Sequence, residues 1–245
     1  MTAPSDTVKA QLTPTGVLRA GINMSNFLLV VDKTPDGDPI GPSPSIAKAI
    51  ADALGVPLKL VPFENPSAVA AAAGTDAWDI GNIGAEPQRA AVMDFTAAYV
   101  EIEATYLVPP DSPIQSVEEV DQPGNRISVS KGSAYGLWLE NNVQKAELCP
   151  IVGGDAAFDQ FVNDKMDALA SLRPRLLTEK DKLPGSRILD GQFSAVQQAV
   201  GVNKNNPEAY EWLKGFVEDA KASGMIAGFI ETHGVQGKLS VAPPA

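Results

Sequence analysis

The chain has 245 residues, 44% of them hydrophobic, with 20 prolines and 21 glycines, which suits one large or two small domains built from many short elements. Its formal charge of −11 argues against nucleic acid and anionic membrane surfaces as partners, since both call for a basic face. Uninterrupted apolar runs such as Phe27 to Val31 are far below the about 20 residues that span a bilayer, so no membrane insertion is expected.

The first nine residues show no basic region followed by an apolar one, so no secretion signal is read there. Val17 to Ile22 is a strand by alternation. A polar, proline-rich loop follows, and Phe27 opens an apolar run that reads as core. Ser45 to Leu54 carries Ile46, Ala49, Ile50, Ala53 and Leu54 at helical spacing, with Ser45 as N-cap and Gly55 as C-cap. Val56 to Val61 is the next strand, and the alanine-rich stretch from Ser67 to Ala73 a short helix. Asp79 to Ile83 is a third strand. It runs through a glycine turn into a helix starting near Pro87. Strand and helix alternating at this spacing predict α/β architecture with a parallel sheet.

The pattern restarts downstream. Arg126 to Ser130 is a strand, followed by Lys131, Gly132, Ser133 and a helix to about Asn141. Asp155 is expected to cap a helix carrying Phe158, Phe161 and Val162, and Asp167 to Ser171 is a strand broken before Pro174. Two extended stretches, Ala104 to Pro113 and Ala195 to Val202, are candidates for crossings between two units. An amphipathic helix runs from about Pro207 to Ala222, and Ser240 to Ala245 is expected to be disordered.

Open α/β sheets bind ligands beyond the C-terminal ends of their strands, and a planar guanidinium there suits a carboxylate. The segment from Asp79 to Arg89 therefore proposes an anion site built from Asn82, Gly84 and Arg89. The competing reading pairs Arg89 with Glu86 or Asp94. The lone cysteine, Cys149, and the lone histidine, His233, have no partner motif. No catalytic, metal-binding or cofactor-binding motif is present, and no cofactor, no metal and no enzymatic activity are expected.

Several segments in order resemble the extracellular solute-binding proteins of family 3, which serve polar amino-acid ABC transporters. They are Gly16 to Ile22, Ile46 to Gly55, Trp78 through Arg89 with Asp94 to Tyr99, Ser116 to Val120 with Ile127 to Ser133, and Asn163 to Ala168. The resemblance implies a type II periplasmic-binding-protein fold. One lobe would comprise residues 1–104 and 198–245 and the other 105–197, with a small anionic or zwitterionic solute trapped in the interlobe cleft by hinge closure. It implies an ABC permease as partner and a periplasmic location, the alternative being a cytoplasmic orphan sensor. It also implies that Arg89 holds the solute's carboxylate, that Gly84 offers an N–H, and that Ser133 offers an N–H and a hydroxyl. Asn26 and Phe27 fall where the family places an aromatic lid.

One departure shapes the ligand expectation. The family's aspartate for the solute's ammonium aligns with Leu172, which cannot pair with a cation. The expected ligand is therefore a carboxylate-bearing solute other than an ordinary α-amino acid, with Arg173 and Arg175 pointing to a second anionic group. A cyclohexadienyl-dehydratase-like lyase is the alternative in a different class, and it would need a carboxyl group where Leu172 stands.

Overall fold

The computed structural model describes residues 2–245, and the chain divides into two compact units. One unit comprises the chain up to Glu101 and from Gln197 onward; the other is Ile102–Val196. The chain passes between them twice, in two long strands that each belong to both.

The first unit opens with α1 (Asp6–Leu12), capped by the Ser5 side chain, and β1 (Leu18–Asn23). The proline-rich loop contains a small antiparallel pair, β2 (Asp32–Lys33) with β3 (Pro39–Ile40). Helix α2 (Pro42–Leu54) follows, starting earlier than the hydrophobic spacing suggests. Its N-cap is Gly41 rather than Ser45. Pro42 and Pro44 sit in its first turn, where a missing N–H costs nothing. Gly41 has φ 155°, and a Cβ there would lie 2.3 Å from the Leu29 carbonyl oxygen, so only glycine fits. Gly55 ends the helix in the left-handed conformation, as its sequence position suggests. Next come β4 (Leu58–Phe63), α3 (Pro66–Ala71), β5 (Ile80–Gly84), α4 (Pro87–Ala90) and β6 (Met93–Phe95).

Strand β7 (Val100–Val108) carries the chain into the second unit. There β8 (Arg126–Ser130), α5 (Ala134–Asn142), β9 (Glu147–Ile151), α6 (Gly154–Asn163) and β10 (Ala168–Leu172) repeat the earlier order. Gly153, not Asp155, is the N-cap of α6. Pro174 does not break the chain into a loop: it occupies the first turn of α7 (Arg173–Lys182). After β11 (Arg187–Ile188), β12 (Ser194–Asn203) returns to the first unit, which closes with α8 (Pro207–Ala222), α9 (Met225–Thr232) and β13 (Ser240–Val241). The C-terminal tail is ordered rather than disordered. Strand β13 pairs antiparallel with the start of β7, Ala242 N–H donates to Tyr99 O, and Lys221 Nζ donates to Pro243 O at 2.8 Å.

Each unit holds three parallel strands with the first in the centre. In one, β4 and β5 flank β1; in the other, β9 and β10 flank β8. A crossing strand then pairs antiparallel on the outer side, β12 on β5 and β7 on β10. The cores follow from burial: Leu18, Ile22, Ile46, Ile50 and Ile80 are fully enclosed in the first unit, while Leu107, Phe161, Leu169 and Leu176 cluster in the second. Trp78 is wholly buried, and its indole N–H donates to Val69 O.

A matching clasp fixes strand register in both units. Arg19 N–H donates to Asp79 Oδ2 at 2.8 Å while Asp79 N–H donates back to Arg19 O. Arg126 N–H likewise donates to Asp167 Oδ2 at 2.8 Å, and Asp167 N–H donates to Arg126 O. In the first unit the Arg19 guanidinium also grips the buried Asp79 carboxylate, Nε at 3.0 Å and Nη2 at 2.6 Å. Two short arginine-to-aspartate reaches thus set the strands on which the candidate site residues ride.

Candidate functional site

In the first unit, Asn82, Gly84 and Arg89 come together at the C-terminal end of β5. Every residue of that strand is buried. Asn82 Nδ2 donates to Ser43 O at 3.0 Å, tying the first turn of α2 to the strand. The register pairs Gly84 with Gln198 while Ala85 N–H donates to Gln197 O. Antiparallel alternation therefore turns the Gly84 amide and carbonyl away from β12. That carbonyl accepts from Arg89 Nη1 at 2.8 Å and from Glu86 N–H at 3.1 Å.

Arg89 is only 4% exposed. Burial pushes its guanidinium down to about 10, against the opposing pull of Glu86, and it remains a cation at neutral pH. Glu86, the N-cap of α4, is also nine-tenths buried. Burial raises its carboxyl above the ordinary carboxylate range, and the Arg89 charge offsets part of that rise. Helix α4 is only four residues long. The amides of Arg89 and Ala90 are spent on Glu86 O, so the positive character here comes from the guanidinium rather than from a helix terminus.

Asn26 and Phe27 follow β1, which pairs with β5 through Ile22 and Asn82, and so lie at the same sheet edge. Asn26 holds a tight turn: Oδ1 accepts from Leu28 N–H, and its carbonyl accepts from Leu29 and Val30. Phe27 is not a core residue. Its ring is 43% exposed, whereas Leu28 and Leu29 are enclosed.

In the second unit, Ser133 and Leu172 lie at the corresponding edge, after the neighbouring strands β8 and β10. Ser133 is the N-cap of α5. Its hydroxyl accepts from Gly136 N–H at 3.0 Å and donates to Ser130 O at 2.7 Å, and its own N–H donates to Ser130 O. The N–H and hydroxyl that the resemblance assigns to a ligand are thus engaged in the turn. Leu172 ends β10 with 9% exposure.

Both downstream arginines are committed within this unit. Arg173 Nε donates to Glu103 Oε2 at 2.6 Å and Nη2 reaches the carbonyls of Leu189 and Gly191. Arg175 pairs with Asp155 and Glu179, each at 2.6 Å. Both guanidinium groups thus have acidic partners within the unit.

Cys149 is half-buried, packs beside the Phe161 cluster and has its thiol pushed up by burial, the opposite of an activated nucleophile. His233 caps the end of α9 and shares a 2.7 Å hydrogen bond with Ser45 Oγ, a partnership between residues 188 positions apart that no local pattern announces. Among the described residues no group of metal-binding side chains occurs, and no helix is long and apolar enough to cross a membrane.

Two α/β units, each built on three parallel strands with an antiparallel crossing strand, define the class, and solved structures share the fold. A solute receptor for L-cysteine from Neisseria gonorrhoeae is similar at 21% identity with a TM-score of 0.75, covering 98% of this chain and 100% of the other. A putative ABC-transporter binding component from Wolinella succinogenes, complexed with lysine, has 21% identity and a TM-score of 0.72 over 89% of this chain and 95% of its own. An ancestral amino-acid-binding protein described as a precursor of cyclohexadienyl dehydratase has 24% identity and a TM-score of 0.71, covering 93% and 99%. Identities this low carry the fold alone, which is the type II periplasmic-binding-protein fold. The chain belongs to the bacterial extracellular solute-binding proteins, family 3, whose profile it matches over residues 18–236. No curated protein matches it in sequence.

Proposed function

We propose that this chain is the substrate-binding component of an ABC importer, works in the periplasm, and captures a small carboxylate-bearing solute by closing its two units on it. The observation that carries the reading is Arg89: a buried guanidinium, still cationic at neutral pH, in the short helix that follows β5. A planar fork of donors in a low-dielectric setting suits a carboxylate. Leu172, in the place of the family's ammonium-binding aspartate, makes the solute something other than an α-amino acid held in the family's usual manner. An ammonium directed at a leucine would be buried unpaired, at a cost of several kcal/mol. With Arg173 and Arg175 already neutralised, one carboxylate suffices.

Calorimetric titration with organic acids and amino acids tests the reading. Stoichiometric binding of a carboxylate without turnover supports it, and catalytic consumption of a cyclic acid would replace it by the lyase reading. Leu172→Asp supplies a sharper arm. It is expected to raise affinity for α-amino acids at least about tenfold, the value of a charge-assisted hydrogen bond, and to weaken binding of the native acid. No gain would mean that Leu172 does not face the solute.

A further inference from the structure

Four side-chain oxygens of the first unit are enclosed without a hydrogen-bond partner among the described residues: Ser43 Oγ, Asn82 Oδ1, Tyr99 OH and Gln198 Oε1. Each of these residues is at most 4% exposed. Orphaned buried polar groups are uncommon, because hydrogen bonds given up to water have to be replaced inside. The four are also neighbours. Asn82 Nδ2 donates to Ser43 O at 3.0 Å, which sets the first turn of α2 over the Asn82 side chain and fixes Oδ1 as its remaining acceptor. Burial pushes the Tyr99 phenol up, and the adjacent Ser43 hydroxyl offsets part of that rise, yet the two hydroxyls are not in hydrogen-bond geometry. Tyr99 N–H donates to Gln198 O at 2.8 Å. Gln198 pairs with Gly84 and Val200 with Asn82, so the Asn82 and Gln198 side chains share a sheet face as diagonal neighbours. Gly84, opposite Gln198 and two residues on from Asn82, brings no side chain to that face.

The donor and acceptor inventory of this set is complementary to one small molecule. Two of its members are amide carbonyl oxygens, which only accept, and two are hydroxyls, which can donate. Water offers two donors and two acceptors in a tetrahedral array. A cation among these neutral oxygens would be buried without a carboxylate to compensate it, and an anion would face two carbonyl oxygens.

We propose that these four oxygens form a buried water site, in which one water donates to Asn82 Oδ1 and Gln198 Oε1 and accepts from the Ser43 and Tyr99 hydroxyls. Buried waters typically make about three hydrogen bonds to groups that would otherwise be orphaned. Tyr99 directly precedes β7 and Gln198 lies in β12. The water therefore ties the first-unit roots of both crossing strands to β5 and to the first turn of α2. This site stands apart from the assignment of Arg89 to the solute, and it gives Asn82 a structural partner rather than a place in the solute's contacts.

A crystal structure of the wild type at a resolution that shows ordered solvent tests the site directly. An isolated oxygen is expected within about 2.5–3.0 Å of at least three of the four atoms, in crystals grown with and without a carboxylic acid. A dry gap, or a group of the acid seated there, overturns the proposal. The melting temperature of Tyr99→Phe gives an independent reading through its sign. Deleting a hydroxyl that has no partner relieves a buried polar group and raises Tm. Deleting one that donates to a held water removes a hydrogen bond and leaves the water a partner short, so a fall of about 2–4 °C is expected. A rise, or no change, overturns the site. Replacing sodium and potassium by choline at constant ionic strength separates water from a small cation among the same oxygens. An unchanged wild-type Tm supports water, and a Tm that falls without the small cations overturns it.

Discussion

Arg89→Ala is expected to weaken capture of the solute by about 2–5 kcal/mol, the usual loss when one partner of a buried hydrogen-bonded charge pair is removed, equivalent to roughly 30-fold to a few thousand-fold in Kd. The size follows from burial: at 4% exposure water replaces little of what the guanidinium supplied. Arg89→Lys separates charge from geometry. A lysine keeps the cation but loses the planar fork, so its Kd should fall between wild type and alanine. The alanine variant also removes the bond to Gly84 O, so a melting curve beside the calorimetry shows whether the fold survives. Native affinity in a folded Arg89→Ala protein would remove Arg89 from the site.

The sequence makes some parts of this molecule legible and hides others for physical reasons. Strand β8 and helix α8 match the residues their patterns suggest, because each carries its signal locally: alternation in Arg126 to Ser130, helical spacing through Trp212, Leu213, Phe216 and Val217. Helix α7 is hidden by its composition. It is rich in charge, nearly without an apolar stripe, and opens with a proline that reads as a break. Strand β9 is hidden by Pro150, tolerated because the strand pairs on one side only, with β8. Strand β13 has no local signal, since its partner lies about 140 positions earlier.

The site divides along the same line. The arrangement of Asn82, Gly84 and Arg89 follows from consecutive residues at one strand end, and so could be read directly. Arg173 could not, because its commitment depends on Glu103, 70 positions away in β7. Phe27 sits in an apolar run whose neighbours are enclosed, and only the turn at Asn26 puts its ring outside. Glu86 is a plain partner candidate for Arg89 by spacing. Its burial emerges only in the folded chain.

The largest stability effect expected in the second unit comes from Arg175. Glu179 is buried, its side chain 2% exposed, with Oε1 held by Arg175 Nε at 2.6 Å and Oε2 enclosed without a partner. Burial raises the Glu179 carboxyl above its ordinary range, and Arg175 is the first of the groups pulling it back down. Arg175→Met keeps the stem and deletes the charge, leaving a buried carboxylate uncompensated, so a loss of about 3–5 kcal/mol is expected. A carboxyl whose pKa is higher folded than unfolded stabilises most below the unfolded value, and that contribution is lost as pH rises through the folded one. Without Arg175 the folded value climbs further and the window widens. The deficit should therefore be largest near neutral pH and shrink as the solution is acidified toward the ordinary carboxylate range. Denaturant unfolding of both proteins at several pH values measures it. The double variant Arg175→Met, Glu179→Leu should recover most of the loss at neutral pH, because it removes the stranded charge as well as its partner. A deficit that stays constant with pH, or that the double variant does not relieve, would assign the loss to the packing of the Arg175 guanidinium beside Gly154 rather than to the charge of Glu179.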